Sequence, residues 1–176
     1  MRIIGGKHKG RKLKEFDINC VRPTSDRARE ALFNILSFDI VGATFLDVFC
    51  GTGAIGLEAA SRGAKVTFAD SDRRSVQLVK ENLALIKEHA DVYSESAETF
   101  FKRNKLKFDF IFLDPPYNYG EYKSLTELIF ENGALCDGGE IIVERSAKAA
   151  PEYSDKFAVT DTRRYGLNAF DFLKRV

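Results

Sequence analysis

Hydrophobic and polar positions follow two rhythms along this chain, and the change falls near Thr44. Ahead of it, the short extended pieces Arg2–Ile4 and Arg11–Lys14 flank Gly-Gly-Lys-His-Lys-Gly, a pattern that predicts a hairpin. The stretch Val21-Arg-Pro comes next, with Thr24 or Ser25 placed to cap a helix. In that helix Ala28, Ala31, Leu32, Ile35 and Leu36 recur at i, i+3, i+4, i+7 and i+8, which predicts one buried stripe.

Beyond Thr44, strands predicted at Thr44–Val48, Lys65–Ala69, Asp91–Tyr93, Phe108–Leu113 and Glu140–Val143 alternate with helices. The helices are expected over Ala54–Ser61, Arg73–Lys87, Ala97–Arg103 and Tyr122–Asn132. Strands separated by helices of this length pair in parallel and are covered on both faces. Phe157–Thr162 and Ala169–Leu173 break the rhythm, and the Tyr-Gly-Leu-Asn between them predicts an antiparallel hairpin at the end of the sheet. The expected class is α/β and Rossmann-like, with seven mostly parallel strands. Residues 1–20 form a hairpin extension and residues 21–176 the main domain.

A length of 176 residues suits one such domain. No apolar run matches a signal peptide or a membrane span, so a cytoplasmic location is expected. Cys20, Cys50 and Cys136 are too far apart for a zinc motif, and no metal is expected. Charge changes the picture more. The net +1 divides into +6 over residues 1–29 and −5 over the rest, so a basic arm that meets a polyanion leads an acidic body.

Gly51-Thr-Gly-Ala-Ile-Gly56 fits the G-x-G-x-x-G loop of nucleotide-binding folds, set between a strand and a helix. Asp47, four residues earlier, selects the ligand. A pyrophosphate on the helix N-terminus would meet that carboxylate in a poorly solvated cleft. S-adenosylmethionine carries a sulfonium and an ammonium and no phosphate, so Asp47 favours it. Asp70, after the second strand, is placed to accept the ribose hydroxyls. Ser96 and Ala97 lie where the adenine edge should rest. With Phe49, Gly51, Gly53 and Gly56, these residues make up the candidate cofactor set.

The fourth strand leads into Asp114-Pro-Pro-Tyr117. Ligands of open α/β sheets bind beyond the carboxyl ends of the strands, which places Asp114 beside the cofactor's methyl group. The prolines hold the Pro115 carbonyl in one orientation. Carboxylate and carbonyl then present two acceptors to the two N–H bonds of a planar amino group. Accepting those hydrogens returns electron density to a delocalised nitrogen and stabilises the charge that develops during transfer. Tyr117 offers a face on which a target base can stack. Asp114, Pro115 and Tyr117 are the candidate catalytic residues.

These segments together resemble the RsmD-type 16S rRNA guanine-N2 methyltransferases over nearly the whole chain. The likeness is carried by Arg2-Ile-Ile-Gly-Gly-Lys7, Lys9-Gly-Arg-Lys-Leu13, Arg22 through Leu36, Asp47 through Ala59, and Leu113-Asp-Pro-Pro-Tyr117. Cys50 and Thr52 stand where members often carry Ala and Ser. The resemblance implies a class I methyltransferase fold, a monomer, and methylation of the guanine at position 966 on a partly assembled small subunit. It also implies that the hairpin contacts RNA. Lys7, Lys9, Arg11 and Lys12 are the phosphate-binding candidates, and Arg22, Thr24 and Arg29 are expected at the substrate entrance. Rival readings are methylation of DNA adenine N6 or protein glutamine, and a non-catalytic RNA-binding module. The first two are disfavoured because only about 40 residues precede the catalytic core, too few for an added recognition domain.

Overall fold

The alternation after Thr44 becomes one seven-stranded sheet in the computed structural model, which describes residues 1–16, 25–116 and 118–176. The strands are β1 (Thr44–Val48), β2 (Lys65–Ala69), β3 (Asp91–Tyr93), β4 (Phe108–Leu113), β5 (Leu135–Ser146), β6 (Phe157–Tyr165) and β7 (Asn168–Arg175). Their spatial order is β3-β2-β1-β4-β5-β7-β6. β1 to β5 pair in parallel, whereas β7 runs antiparallel to β5 and β6 antiparallel to β7. The chain moves outward from β1 to β3 and then returns to the other side of β1. This reversal opens a crevice at the carboxyl ends of β1 and β4.

Side-chain alternation along each strand divides the core between two faces. Phe45, Phe68, Phe112 and Phe170 pack under α1 (Asp26–Leu36), α2 (Ala54–Ser61) and α3 (Arg73–Ile86). Leu46, Ile111, Leu113 and Val143 pack under α4 (Ala97–Arg103) and α5 (Tyr122–Asn132).

Three expectations change. The buried face of α1 is Ala28, Arg29, Leu32, Phe33 and Leu36, while Ala31 is half-buried and Ile35 is exposed. The stripe is rotated because Arg29 is drawn inward by a buried carboxylate. β5 begins at Leu135 rather than Glu140, passing Gly138-Gly139 with a register shift opposite Phe108 to Phe110. β6 and β7 each run further than their apolar cores suggest.

The N-terminal hairpin is a short ladder. Arg2 bridges Lys12, Ile3 N–H donates to the Arg11 carbonyl (3.0 Å), and a 3-10 turn at Gly6–His8 joins the two limbs. Ile3 and Leu13 belong to the core under α1 and α2, so this arm is packed onto the domain. Glu58 of α2 anchors it: one carboxylate oxygen accepts Ile4 N–H (2.8 Å), and the other accepts Gly5 N–H (2.7 Å) and Arg62 Nε (2.8 Å). Asn82 of α3 holds the second limb, accepting Lys14 N–H at 2.8 Å and donating to the Lys14 carbonyl at 3.1 Å.

Candidate active site

The carboxyl ends of β1 and β4 lie side by side against Val143 of β5, because Val48 pairs with Leu113 and Leu113 with Val143. The next residues along β4 and β5 are Asp114 and Glu144, and Asp47 precedes Val48. Three carboxylates are thus gathered at the switch point. Asp47 is 2% exposed and Glu144 is 4% exposed. No ion pair between described residues reaches Asp47 or Asp114. Burial pushes the pKa of Asp47 well up, the Gly56 N–H pulls it back in part, and Asp70 and Glu144 raise it further. Asp114 keeps surface open to the crevice, but protein encloses it on its other sides. Poor hydration in that recess, then Glu144 and Asp47, raise its pKa well above the usual carboxylate range. Such a recess is relieved by a bound cation, because each carboxylate disfavours ionisation of the others.

The glycine loop gives the same answer by hydrogen bonding. Asp47 Oδ2 accepts the Gly56 N–H at 2.8 Å, so a protein carboxylate already meets the first turn of α2, where a phosphate would dock. This refines the expected role of Asp47, which shapes the loop and its field from beneath. Gly56 must be glycine here. A Cβ would lie 2.2 Å from the Phe68 ring and 2.9 Å from Asp47 Oδ2. Gly56→Ala is expected to destabilise by about 1–3 kcal/mol through overpacking and to weaken cofactor binding as the loop shifts. Thermal unfolding with and without S-adenosylhomocysteine measures both effects.

Gly51 and Gly53 adopt φ of +52 and +76, and Phe49, a non-glycine residue, has φ +59. Asp70 braces the loop: Oδ2 accepts the Gly51 N–H at 2.9 Å and Oδ1 the Asp72 N–H at 2.8 Å. A carboxylate has about four acceptor positions, which leaves capacity for two hydroxyls. The Ser96 hydroxyl is committed to capping α4, accepting the Thr99 N–H at 3.2 Å, and Ala97 is buried. The side chains expected at the adenine edge therefore belong to the helix start and the core.

Pro115 is buried and follows Asp114 directly, and the Pro116 carbonyl accepts the Tyr119 N–H at 2.8 Å. Tyr117, Arg22 and Thr24 lie outside the described residues. The structure adds an aromatic run outside the sequence motifs. Phe49 meets Tyr119 edge-on at 5.4 Å, and Tyr119 meets Tyr122 at the same separation. Tyr119 also donates to Glu98 at 3.0 Å. Burial raises the pKa of Tyr122, and the Asp114 charge adds to the rise. The cue in the sequence was three tyrosines within Tyr117–Tyr122.

The basic residues separate into two groups. Lys9, Arg11 and Lys12 are exposed and pair with no described carboxylate. Lys7 is paired with Glu88 at 2.7 Å. Arg29 does not reach the surface. It is 1% exposed, donates to the Arg2 carbonyl at 2.7 Å and to Asp26 at 3.0 Å, and faces Glu58. Its expected place at the substrate entrance is corrected to a post inside the arm's attachment.

Residues 1–174 match the family described as Conserved hypothetical protein 95. Ribosomal RNA small subunit methyltransferase D of Escherichia coli is 42% identical over 82% of this chain and 74% of its own. The structure of yhhF from Escherichia coli superposes with a TM-score of 0.89 at 35% identity, covering 99% of this chain and 97% of that one. Magnesium protoporphyrin IX methyltransferase from Synechocystis, solved with bound S-adenosylmethionine, shares the fold at a TM-score of 0.66 and 15% identity. That likeness covers 85% of this chain and 79% of the other.

Proposed function

The chain belongs to the RsmD-type family of class I methyltransferases, and from that premise we propose that it transfers a methyl group from S-adenosylmethionine to the exocyclic N2 amine of a guanine in 16S rRNA. The observation that carries this reading is the placement of Asp114-Pro115 at the switch point, next to an acidic recess and a glycine loop already filled by Asp47. The proposed target is the guanine at position 966 on a partly assembled small subunit, with the chain acting as a monomer in the cytoplasm.

The residues fit the cofactor by charge and by hydrogen-bonding capacity. Asp70 would take the ribose, the acidic recess would face the cationic end, and the backbone of the glycine loop would line the rest. The cofactor supplies an electrophilic methyl group on a positively charged sulfur. The protein supplies position and polarity. Asp114 carboxylate and Pro115 carbonyl would accept the two N–H bonds of the guanine amine and hold its lone pair toward the methyl group that the cofactor supplies. Tyr117 is proposed to stack the base once it leaves the RNA stack.

Asp114 offers a negative charge and acceptors on both oxygens only when ionised, so its raised pKa has a kinetic consequence. The acid limb of kcat/KM, which reports the free enzyme, is expected above the ordinary carboxylate range. The limb of kcat should lie lower, because the bound cation favours the carboxylate. Rate profiles between about pH 3 and 9 check this, and coincident limbs near pH 4 would remove the shared-field argument.

Lys9, Arg11 and Lys12 are the proposed phosphate contacts of the arm. Neutralising all three should weaken RNA binding and lower the slope of log affinity against log salt by about 2–3. Unchanged binding at several salt concentrations would leave the arm a purely structural element.

The substrate is tested by offering labelled S-adenosylmethionine with unmodified small subunits, naked 16S rRNA, duplex DNA or protein. Label chiefly in the subunits supports the reading. Label in DNA or protein overturns the substrate while the cofactor assignment stands.

A further inference from the structure

The β6–β7 turn has a second role to offer. A cavity of about 440 Å³ opens between the N-terminal end of α1 and this turn, walled by Arg27, Arg164, Tyr165, Leu167 and Asn168. Its volume lies within the roughly 300–1,000 Å³ of small-ligand sites. The turn is held rigidly. Tyr165 pairs with Asn168, Gly166 takes φ +63 at the first central position as a tight two-residue hairpin requires, and the Leu167 carbonyl accepts the Ala147 N–H at 2.8 Å. The Tyr165 ring is fixed against Phe170 at 5.7 Å.

The wall combines charge and apolar surface in an unusual way for a loop tip. Arg27 and Arg164 are exposed and pair with no described carboxylate, although acidic residues outnumber basic ones beyond the arm. Leu167 is 61% exposed beside them. Asn168 connects the cavity to the catalytic end, since its side-chain amide donates to Glu144 Oε1 at 2.6 Å and Glu144 adjoins Asp114 across β5 and β4.

Resting on the RNA-methyltransferase reading above, we propose that this cavity seats a nucleotide flanking the target guanine in the RNA strand. Its phosphate lies between the Arg27 and Arg164 guanidinium groups, and its base lies on Tyr165 and Leu167. Guanidinium forks match phosphate geometry. Unstacked bases of single-stranded RNA are held on aromatic faces beside basic side chains. A base drawn to Asp114 pulls its neighbours out of the helix, and a second seat one wall away holds the strand in the register that this requires.

The test uses the intact protein and unmodified small subunits or naked 16S rRNA. The pair Arg27→Ala/Arg164→Ala should weaken RNA binding about tenfold or more and lower the salt slope by about 1.4, the loss of two single-strand phosphate contacts. Arg27→Lys/Arg164→Lys should restore most of that slope. Tyr165→Leu should weaken binding about tenfold with the slope unchanged, because stacking releases no counterions. Unaltered melting temperatures show that each variant folds. If wild type methylates RNA and the alanine pair binds with wild-type affinity and slope, the cavity assignment is overturned and the methyltransferase reading stands. If wild type transfers no methyl group to any RNA, that reading falls and takes the cavity proposal with it.

Discussion

Asp114→Asn is expected to cut methyl transfer by about 10²–10³-fold, the usual loss when one positioned group that stabilises developing charge is removed. The substitution keeps the shape of the side chain and one acceptor oxygen, but replaces the other with a donor that repels an incoming N–H. Affinity for S-adenosylhomocysteine, which lacks the sulfonium charge that Asp114 would favour, should stay near wild type, because the loop is braced by Asp70 and Asp47 through backbone N–H groups rather than by Asp114. The raised acid limb of kcat/KM should disappear in this variant, since the group responsible no longer titrates. Single-turnover transfer and cofactor titration separate the two effects. Near-normal turnover would remove Asp114 from the chemistry.

Glu58→Ala is expected to have the largest effect on stability. Glu58 is fully buried and satisfies Ile4 N–H, Gly5 N–H and Arg62 Nε, and it faces Arg29. Removing it leaves the Arg29 guanidinium buried with Asp26 as its remaining carboxylate and frees two half-buried amides of the arm. Breaking a buried pair in this way costs about 3–5 kcal/mol, which for a domain of this size lowers Tm by on the order of 10 °C. Loss of hydrogen-exchange protection at Ile4 and Gly5 should accompany the drop. RNA affinity should fall as well, because Lys9, Arg11 and Lys12, the proposed phosphate contacts, ride on the arm it holds. A Tm within about 2 °C of wild type would show that the arm is anchored elsewhere.

These two residues differ in how far the sequence alone places them. The position of Asp114 is legible because its signal is local: an apolar strand, an acid and two prolines sit in nine consecutive residues, and the topology of parallel sheets says where a strand end points. The five parallel strands and their helices are legible for a similar reason, since burial on both faces produces compact apolar blocks. Glu58 and Arg29 are opaque because their meaning depends on a meeting 29 positions apart. A charged residue on an apolar stripe reads as solvent-facing until its partner is known. That is why the α1 stripe is rotated and why Arg29 leaves the RNA-facing set. The early start of β5 is hidden in the sequence because Cys136-Asp-Gly-Gly139 has the composition of a turn, while the pairing of Leu135 with Phe108 ahead of it keeps the strand in the ladder. Arg145 is similarly committed, donating to Asp171, which also accepts from Tyr153 at 2.7 Å and Thr162 at 2.7 Å.

Asp47 illustrates an intermediate case. Its presence before the glycine loop was enough to argue for a cationic ligand over a pyrophosphate. Its actual partner, the Gly56 N–H, emerges only when α2 is folded onto β1. The expectation and the contact lead to the same ligand by different physics, one through long-range charge and the other through occupation of the helix start.

The central claim is that the two acceptors at Asp114 and Pro115 direct a methyl group to a guanine amine. Its most direct test is to digest small-subunit RNA labelled by this enzyme to nucleosides and to identify the product carrying the methyl group. The account predicts N2-methylguanosine as the labelled product. Label on another nucleoside, or on a ring nitrogen or ribose of guanosine, would contradict it.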